Sequence, residues 1–245
     1  MIFIIPARLN SKRFPGKALY NIAGKSLIHW VYESTASCGE RYQTYVATDS
    51  EDIFKEIRKI GGNVVMTSSH HSTGTDRVAE AARILNLDSD EIVINVQGDQ
   101  PYIPSSLPED LTDVLNISNS FLMATPVINR ELTKEELRNP NVVKAVLHTD
   151  KIDIGYFYRG ITPEMYPNFV LSKLCKHVGI YAFKNRFLQT FTSLSKTKNE
   201  ETLKLEQIRV LDHRYRIASV LLDDDIHDIN IPEDIPVVEK WLRSK

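Results

Sequence analysis

Cysteine is scarce in this sequence of 245 residues: Cys38 and Cys175 stand far apart, and no CxxC pair or Cys/His array occurs. A disulfide framework or a structural zinc site needs such spacing, so neither is expected. No stretch reaches the roughly 18 apolar residues of a membrane-spanning helix. The apolar run at residues 2–5 is followed, not preceded, by basic residues, the reverse of a secretory signal. We therefore expect a cytoplasmic protein without membrane insertion.

An excess of one charge is lacking as well. Thirty Lys and Arg residues face 32 Asp and Glu residues, which gives a formal net charge of -2. Such a balance supplies no field that would hold a polyanion, so no nucleic-acid partner is expected. With 42% hydrophobic and 25% charged residues, the composition is that of a globular protein. By length alone the chain forms one large α/β unit or two small ones.

Short runs rich in β-branched residues alternate with helix-like segments in the N-terminal part of the chain. The predicted strands are residues 2–5, 42–47, 63–66 and 92–96. Between them, apolar side chains recur at three- and four-residue spacing, which indicates helices with one buried face. Strands that alternate with helices form parallel sheets with right-handed crossovers. The sequence therefore predicts an α/β fold with a mostly parallel central sheet and helices on both faces.

The remainder of the chain has less regular patterning and predicts a smaller, mixed lobe. Its strand-like stretches are residues 121–127, 142–147, 152–158, 178–183 and 217–222. Helix starts are indicated where Ser106, Thr133 and Asn230 are each followed three residues later by Glu. The polar residues 193–202 are predicted to form a surface loop. We interpret the chain as a single domain with a nucleotide-binding half, residues 1–105, and a second half for sugar binding and dimerisation, residues 106–245.

A cationic loop follows the first predicted strand directly. Residues 6–17 include Arg8, Lys12, Arg13 and Lys17 and no acidic residue. Ligands of open α/β sheets bind beyond the carboxyl ends of the strands, and fixed cations there stabilise the charge that develops when a diphosphate leaves a nucleotide. Neither a Walker loop nor a GxGxxG pattern occurs. A solvated basic turn is the alternative interpretation of this loop.

A second loop of interest follows the fourth predicted strand, where Gln97, Gly98 and Asp99 occur in succession. Gly98 allows a close backbone approach, and the carboxylate of Asp99 suits Mg²⁺, which prefers oxygen ligands and bridges substrate phosphates. A turn-forming Asp before a loop is the plainer alternative. The adjacent His70 and His71 suggest a metal pair, but without a third ligand a polar loop is favoured.

Together with further segments, these loops resemble the 3-deoxy-manno-octulosonate (Kdo) cytidylyltransferase family, the CMP-Kdo synthetases. The matching segments are residues 5–8, 13–17, 47–49, 72–77, 95–99, 139–144, 176–181 and 205–209. Eight segments in the family's order are far more specific than any one of them. The resemblance covers nearly the whole chain.

The resemblance implies a Rossmann-like nucleotidyltransferase fold and a homodimer. It also implies transfer of CMP from CTP to the anomeric hydroxyl of Kdo, with release of pyrophosphate and with Mg²⁺ as cofactor, for lipopolysaccharide or capsule synthesis. The catalytic residues it implies are Arg8, Lys17 and Asp99. The nucleotide-binding residues are Ala7, Arg8, Ser11, Lys17, Ala47, Thr48, Asp49, Gly74 and Asp76. The sugar-binding residues are Arg13, Gln97, His177, Tyr181, Glu206 and Gln207, with Arg77 and Arg159 as weaker candidates. The metal ligands are Asp99 and Asn230.

Each of these side chains also has a purely structural alternative. A histidine that begins an apolar strand, like His177, is often a core residue, and Tyr181 suits a core with its hydroxyl at the rim. Glu206 is flanked by apolar residues and suits a solvated helix position. Thr73 and Asp76 have the spacing of a helix cap.

The sequence departs from the family pattern at two places. Asn230 stands where the family has a second metal-binding Asp, so the attraction for a cation falls unless Asp228 or the acidic residues 223–225 supply a replacement charge. Asn230 also suits a helix cap. Tyr158 replaces a family Ser, which favours a modified acceptor such as 8-amino Kdo or another keto-acid sugar. A nucleotide-sugar binding protein without turnover is a further alternative.

Overall fold

The computed structural model describes residues 1–9, 14–149, 152–160 and 174–242. The strands are β1 (Ile2–Ala7), β2 (Asn21–Ile22), β3 (Lys25–Ser26), β4 (Gln43–Thr48), β5 (Asn63–Met66), β6 (Ile92–Asn95), β7 (Phe121–Ile128), β8 (Val143–Leu147), β9 (Ile154–Arg159), β10 (Leu174–His177), β11 (Tyr181–Lys184) and β12 (Arg216–Leu222). The α-helices are α1 (Leu27–Ala36), α2 (Glu51–Lys59), α3 (Gly74–Ile84), α4 (Leu107–Ile117), α5 (Lys134–Arg138), α6 (Asn185–Ser193), α7 (Lys198–Leu203), α8 (Ile208–Asp212) and α9 (Ile235–Leu242). Single 3₁₀ turns occupy Lys17–Leu19 and Pro232–Asp234.

The chain divides into two compact units by its internal contacts. The first unit consists of Met1–Pro108, Lys184–Thr192 and the chain from Ile226 onward, and the second consists of Glu109–Phe183 and Ser193–Asp225. The first division lies close to the boundary at 105/106 that the sequence suggested. Two later segments nevertheless return to the first unit, so the units are interleaved along the chain. Among the described residues, no helix combines the length and apolar character needed to cross a lipid bilayer.

The first unit contains the predicted parallel sheet. Its strands run in the order β5, β4, β1 and β6, each parallel to its neighbour. The path moves outward from β1 through β4 to β5 and then returns past β1 to β6. Because such crossovers are right-handed, this reversal places α3 on the face opposite α1 and α2. The order also reverses between β1 and β6, and ligands of open α/β sheets bind at that kind of switch point.

Local sequence explains the helices of this unit. Ser50 accepts a hydrogen bond from the backbone N–H of Ile53 and caps α2. Thr73 and Asp76 form a reciprocal capping box at the start of α3. The predicted apolar stripes are buried, for example Ile53 and Ile57 of α2, so they hold the helices against the sheet.

The second unit contains the mixed sheet. β7 pairs in parallel with β12 and antiparallel with β10 and β11, while β10 continues antiparallel into β8 and β9. Just before β9, Asp153 bridges to Ala218 of β12, so the sheet curls back on itself. The predicted helix starts at Ser106 and Thr133 are confirmed by α4 and α5, and Thr133 forms a capping box with Glu136.

Three sequence-based expectations differ from the structure. The strand predicted for residues 178–183 begins only at Tyr181, because the chain turns at Val178, whose carbonyl accepts from the N–H of Ile180. The loop predicted for residues 193–202 contains α7, which starts with a capping box between Thr197 and Glu200. Asn230 does not cap a helix with Glu233. In its place, the carboxylate of Asp234 accepts from the backbone N–H groups of residues 230 and 231.

Candidate active site

The carboxyl ends of the parallel strands bring three loops of the first unit together. Ala7 at the end of β1 lies in register with Thr48 at the end of β4. β6 ends earlier, and the loop that follows it runs beside β1. A Cβ atom on Gly98 would lie only 3.0 Å from the carbonyl oxygen of Pro6, so glycine permits this approach of the two backbones. Ala7, Ala47 and Thr48, all predicted nucleotide-binding residues, are buried at this edge.

Lys17 and Asp99 meet at this edge. The Lys17 Nζ atom donates to Asp99 Oδ2 at 2.7 Å and to the carbonyl oxygen of Ile229 at 2.8 Å. The backbone N–H of Ile229 in turn donates to the carbonyl oxygen of Asp99 at 2.9 Å. The side chains of Lys17 and Asp99 are 14% and 25% exposed. The cation of the first loop and the carboxylate of the second are thus direct neighbours that still face solvent.

Arg77 orients the predicted nucleotide residue Asp49. Its guanidinium lies 3.0 Å from Asp49 Oδ2 and donates to the hydroxyl of Thr67 at 2.6 Å. Arg77 is 4% exposed and Asp49 retains solvent contact. Arg77 therefore acts here as a buried support for Asp49, a charge-assisted contact that fixes the carboxylate at the end of β4.

The start of α3 supplies the other predicted nucleotide residues. Gly74 packs under β1, where an added Cβ atom would lie 3.2 Å from Pro6 Cγ. The Asp76 carboxylate accepts from the backbone N–H of Thr73, so its structural role as a cap is realised. Gln97, predicted to bind the sugar, donates to Asn95 Oδ1 at 3.2 Å.

Asn230, the second predicted metal ligand, directly follows the residue that contacts Lys17 and Asp99. Its side-chain amide donates to the carboxylate of Asp228. Among the alternative charges, Asp225 is held by Arg130 and Lys176 at 2.6 Å each. Of the alternative charges that the sequence suggests, Asp228 is therefore the one that contacts the Asn230 side chain.

The donor set at this edge suits a hard cation. Carboxylate and amide oxygens are the protein ligands that Mg²⁺ takes, and the ammonium of Lys17 already lies between two oxygens of the same site. The described part of the chain holds no cluster of three or more His, Cys, Asp and Glu side chains that could enclose a metal by itself. His71 of the histidine pair contacts Glu80 at 2.5 Å instead.

The second unit brings His177 and Tyr181 together. Their ring centroids are 5.6 Å apart, and Phe157 packs edge-on to His177 at 4.9 Å. Burial lowers the pKa of His177 to about 3, with a smaller contribution from Arg159, so the imidazole is neutral at pH 7. Burial also raises the pKa of Tyr181, and the carboxylate of Glu206 adds to that effect.

Glu206 and Gln207 lie in the turn between α7 and α8. Lys204 adopts a left-handed conformation with φ of 53° at the end of α7, which starts this turn. The buried pair Glu200 and Arg209 joins the two helices, with Arg209 Nε donating to Glu200 at 2.8 Å. Gln207 is buried and Glu206 is half-buried.

Arg159 holds the same turn from β9. Its guanidinium donates to the carbonyl oxygens of Leu203 at 2.8 Å and Pro140 at 2.7 Å. Tyr158 beside it is packed against the buried pair Leu137 and Leu174. The bulk of Tyr158 is therefore accommodated in an apolar cluster.

Of the remaining predicted residues, Arg8 is exposed directly after β1, while Ser11 and Arg13 lie outside the described residues. Sequence reasoning missed Thr125, whose buried hydroxyl lies 2.9 Å from His177 Nε2. No local pattern marks a threonine in an apolar strand as special. Sequence reasoning also missed the ion pair of Glu200 and Arg209. The spacing of Thr197 and Glu200 was an available signal, because it is that of a capping box at the start of a helix.

A parallel sheet with helices on both faces and a switch point between β1 and β6 is a Rossmann-like architecture. The family model described as Cytidylyltransferase matches residues 2–217. The 3-deoxy-manno-octulosonate cytidylyltransferase of Syntrophobacter fumaroxidans is 40% identical over 239 residues, which cover 97% of this chain and 95% of the relative. The 8-amino-3,8-dideoxy-manno-octulosonate cytidylyltransferase of Shewanella pealeana is 40% identical over 246 residues, which cover 98% and 97%.

Among solved structures, CMP:2-keto-3-deoxy-manno-octonic acid synthetase complexed with CTP superposes with a TM-score of 0.87. It is 31% identical and is matched over 99% of this chain and 98% of its own. The chain belongs to the 3-deoxy-manno-octulosonate cytidylyltransferase (CMP-Kdo synthetase) family.

Proposed function

We propose that this protein transfers CMP from CTP to the anomeric hydroxyl of Kdo and releases pyrophosphate. The observation that carries the proposal is the Lys17–Asp99 pair at the switch point of the parallel sheet, where the Nζ and Oδ2 atoms lie 2.7 Å apart. An ammonium and a carboxylate at that position provide both charges that a nucleoside triphosphate and its counter-cation require. The superposed structure is complexed with CTP, and the relatives are named for Kdo and its 8-amino analogue.

The protein's contribution to the reaction is positioning and electrostatic stabilisation. The sugar hydroxyl attacks the α-phosphorus in line with the departing pyrophosphate, so negative charge grows on the leaving group. Arg8 and Lys17 are assigned to neutralise that charge. Asp49, fixed by Arg77, and the start of α3 are assigned to the nucleoside. His177, Tyr181, Glu206 and Gln207 are assigned to the acid sugar, whose hydroxyls match imidazole, phenol, carboxylate and amide partners.

Asp99 and Asn230 are assigned to hold Mg²⁺. When bound, the metal would neutralise phosphate charge and lower the pKa of the sugar hydroxyl. Asn230 contributes an oxygen without a charge. The neighbouring carboxylate of Asp228 offsets that loss, because it touches the amide of Asn230.

The first experiment measures pyrophosphate release from CTP and Kdo by the parent protein and by Asp99→Asn. We expect the variant to lose turnover and to keep the circular dichroism spectrum and melting temperature of the parent. Asp88→Asn, at an exposed position before β6, is the charge-matched control and should retain full activity. Undiminished release by Asp99→Asn would show that this carboxylate has no part in the reaction.

A second candidate function is transfer to 8-amino Kdo. It is favoured by the relative from Shewanella pealeana, which is as similar to this chain as the relative named for Kdo. Parallel assays with Kdo, 8-amino Kdo and sialic acid would decide, since the true acceptor gives the highest kcat/KM. Calorimetric binding of CTP without pyrophosphate release from any acceptor would instead indicate a nucleotide-sugar binding protein. Homodimerisation stays a prediction from the resemblance, and a cytoplasmic location stays a prediction from the sequence near residues 2–13.

A further inference from the structure

The hydroxyl of Thr125 lies fully buried on β7 and faces three polar atoms of the second unit. The Thr125 Oγ1 atom is 2.9 Å from His177 Nε2, 2.8 Å from the carbonyl oxygen of Ile180 and 3.1 Å from that of Val178. The two carbonyls belong to the turn between β10 and β11. This turn wraps around a single side-chain oxygen, with His177 at one end and Tyr181 at the other.

Counting protons at this oxygen determines the protonation of the imidazole. A threonine hydroxyl carries one proton and accepts through its lone pairs, whereas a carbonyl oxygen only accepts. If Nε2 carried no proton, three acceptors would compete for one hydroxyl proton at a buried site, which is costly. With a proton on Nε2, the ring donates to Thr125 Oγ1, and the hydroxyl donates toward the two carbonyls. In this arrangement every one of these groups has a partner, and the carbonyl of Val178 also accepts from the N–H of Ile180.

The ring environment leaves the other nitrogen as an acceptor. His177 is 8% exposed and lies between the rings of Phe157 and Tyr181. Burial keeps the imidazole neutral at pH 7, and the pKa of about 3 agrees with this. A neutral ring protonated at Nε2 has its lone pair on Nδ1. Among the described residues, Thr125 is the hydrogen-bonding partner of the His177 ring.

We propose that Thr125 is a positioning residue that locks His177 in its neutral Nε2–H tautomer, so that Nδ1 offers a hydrogen-bond acceptor to the acid sugar. The tautomer follows from the geometry of this chain alone, and its use toward a sugar rests on the proposed function. An acceptor at Nδ1 selects for a sugar hydroxyl or an ammonium group and disfavours a carboxylate or a keto oxygen at the same point. Thr125 thereby contributes to acceptor specificity without touching the substrate.

Nitrogen NMR tests the tautomer directly. Long-range ¹H–¹⁵N spectra of protein labelled at histidine nitrogens distinguish a protonated, pyrrole-type nitrogen from an unprotonated, pyridine-type one, and loss of a signal set in His177→Gln assigns His177. We expect a pyrrole-type Nε2 and a pyridine-type Nδ1 at pH 7. In Thr125→Val this pattern should give way to a mixture, whereas Thr125→Ser should retain it. A parent spectrum with the proton on Nδ1, or with a charged ring, would overturn the proposal.

Kinetics test the use of the tautomer. In Thr125→Val we expect the KM for the acid sugar to rise by roughly 2- to 10-fold, the value of one hydrogen bond, while the KM for CTP stays unchanged. Thr125→Ser should restore the parent values. Equal KM values in parent and Thr125→Val would show that the tautomer does not serve sugar recognition. If no acid sugar supports release by the parent protein, the proposed function fails, and the NMR pattern still decides the tautomer.

Discussion

Replacing Glu200 with Gln removes the charge that faces Arg209 inside the second unit. The side chains of Glu200 and Arg209 are 8% and 4% exposed, and two guanidinium nitrogens donate to the two carboxylate oxygens. Glu200 also accepts from the backbone N–H of Thr197, so one carboxylate both caps α7 and joins it to α8. The glutamine keeps the size and one acceptor but removes the negative charge from the pair with Arg209.

The expected loss of stability follows from the burial of this ion pair. Breaking a buried ion pair by removing one partner costs about 3 to 5 kcal/mol, and the amide oxygen that remains places Glu200→Gln near the lower end, at about 3 kcal/mol. In a protein of this size, that corresponds to a fall in melting temperature of roughly 6 to 12 °C. Because Glu206 and Gln207 occupy the turn between the two helices, we also expect the KM for the acid sugar to rise more than the KM for CTP.

Urea unfolding followed by circular dichroism measures the change, with two controls. Asp90→Asn breaks the surface pair of Asp90 and Arg186, whose side chains are 77% and 46% exposed, and should cost less than about 1 kcal/mol. The double variant Glu200→Leu with Arg209→Met should recover most of the loss, because well-packed apolar residues replace a buried pair at little cost. If Glu200→Gln were no more destabilising than Asp90→Asn, the reasoning from burial would be refuted.

Three further predictions concern other parts of the chain. Arg130 lowers the pKa of Glu136 to about 2 from 4.5, so this carboxylate stabilises the fold above pH 4.5 and its contribution is lost as the pH falls toward 2. After solvent screening we expect this contribution to the free energy of unfolding to be about 1 to 2 kcal/mol. The variant Glu136→Gln should therefore flatten that part of the pH profile of stability. Gly98→Ala should lower the free energy of unfolding by about 1 to 3 kcal/mol, since its Cβ would lie 3.0 Å from the carbonyl of Pro6; an unchanged melting temperature would contradict the close approach. Lys17→Gln should raise the KM for CTP by roughly tenfold, the loss of one charge-assisted contact to phosphate, and steady-state kinetics with an unaltered KM would rule that contact out.

The parallel sheet was predictable because its signals are local. The apolar runs of β1, β4, β5 and β6 and the stripes between them follow from hydrophobic period, and period depends only on neighbouring residues. The cationic loop after β1 and the carboxylate after β6 were likewise placed at one sheet edge from sequence, because parallel strands end on the same side. The structure confirms that placement through the contact of Lys17 with Asp99.

The second unit was less predictable because its decisive contacts join distant residues. β11 begins only at Tyr181 because the residues before it form a turn. The carbonyl oxygens of Val178 and Ile180 in that turn accept from the hydroxyl of Thr125, which lies more than fifty positions earlier in the chain. The polar composition of residues 193–202 predicts a loop, but the capping box of Thr197 and Glu200 starts the helix α7 there. The role of Asn230 as a cap was wrong since Asp234 accepts from the N–H groups at that point.

The amino-acid sequence by itself determined the α/β class, the segments that form the parallel strands and the two loops that meet at the sheet edge. It also determined the family resemblance. All of these depend on composition, hydrophobic period and short motifs. Only the tertiary structure decided which side chains support those loops. Arg77 behind Asp49, Ile229 beside Lys17 and Thr125 beneath His177 are paired by hydrogen bonds across long stretches of chain. Such pairings follow from how the strands and turns pack in space, and no local pattern encodes them.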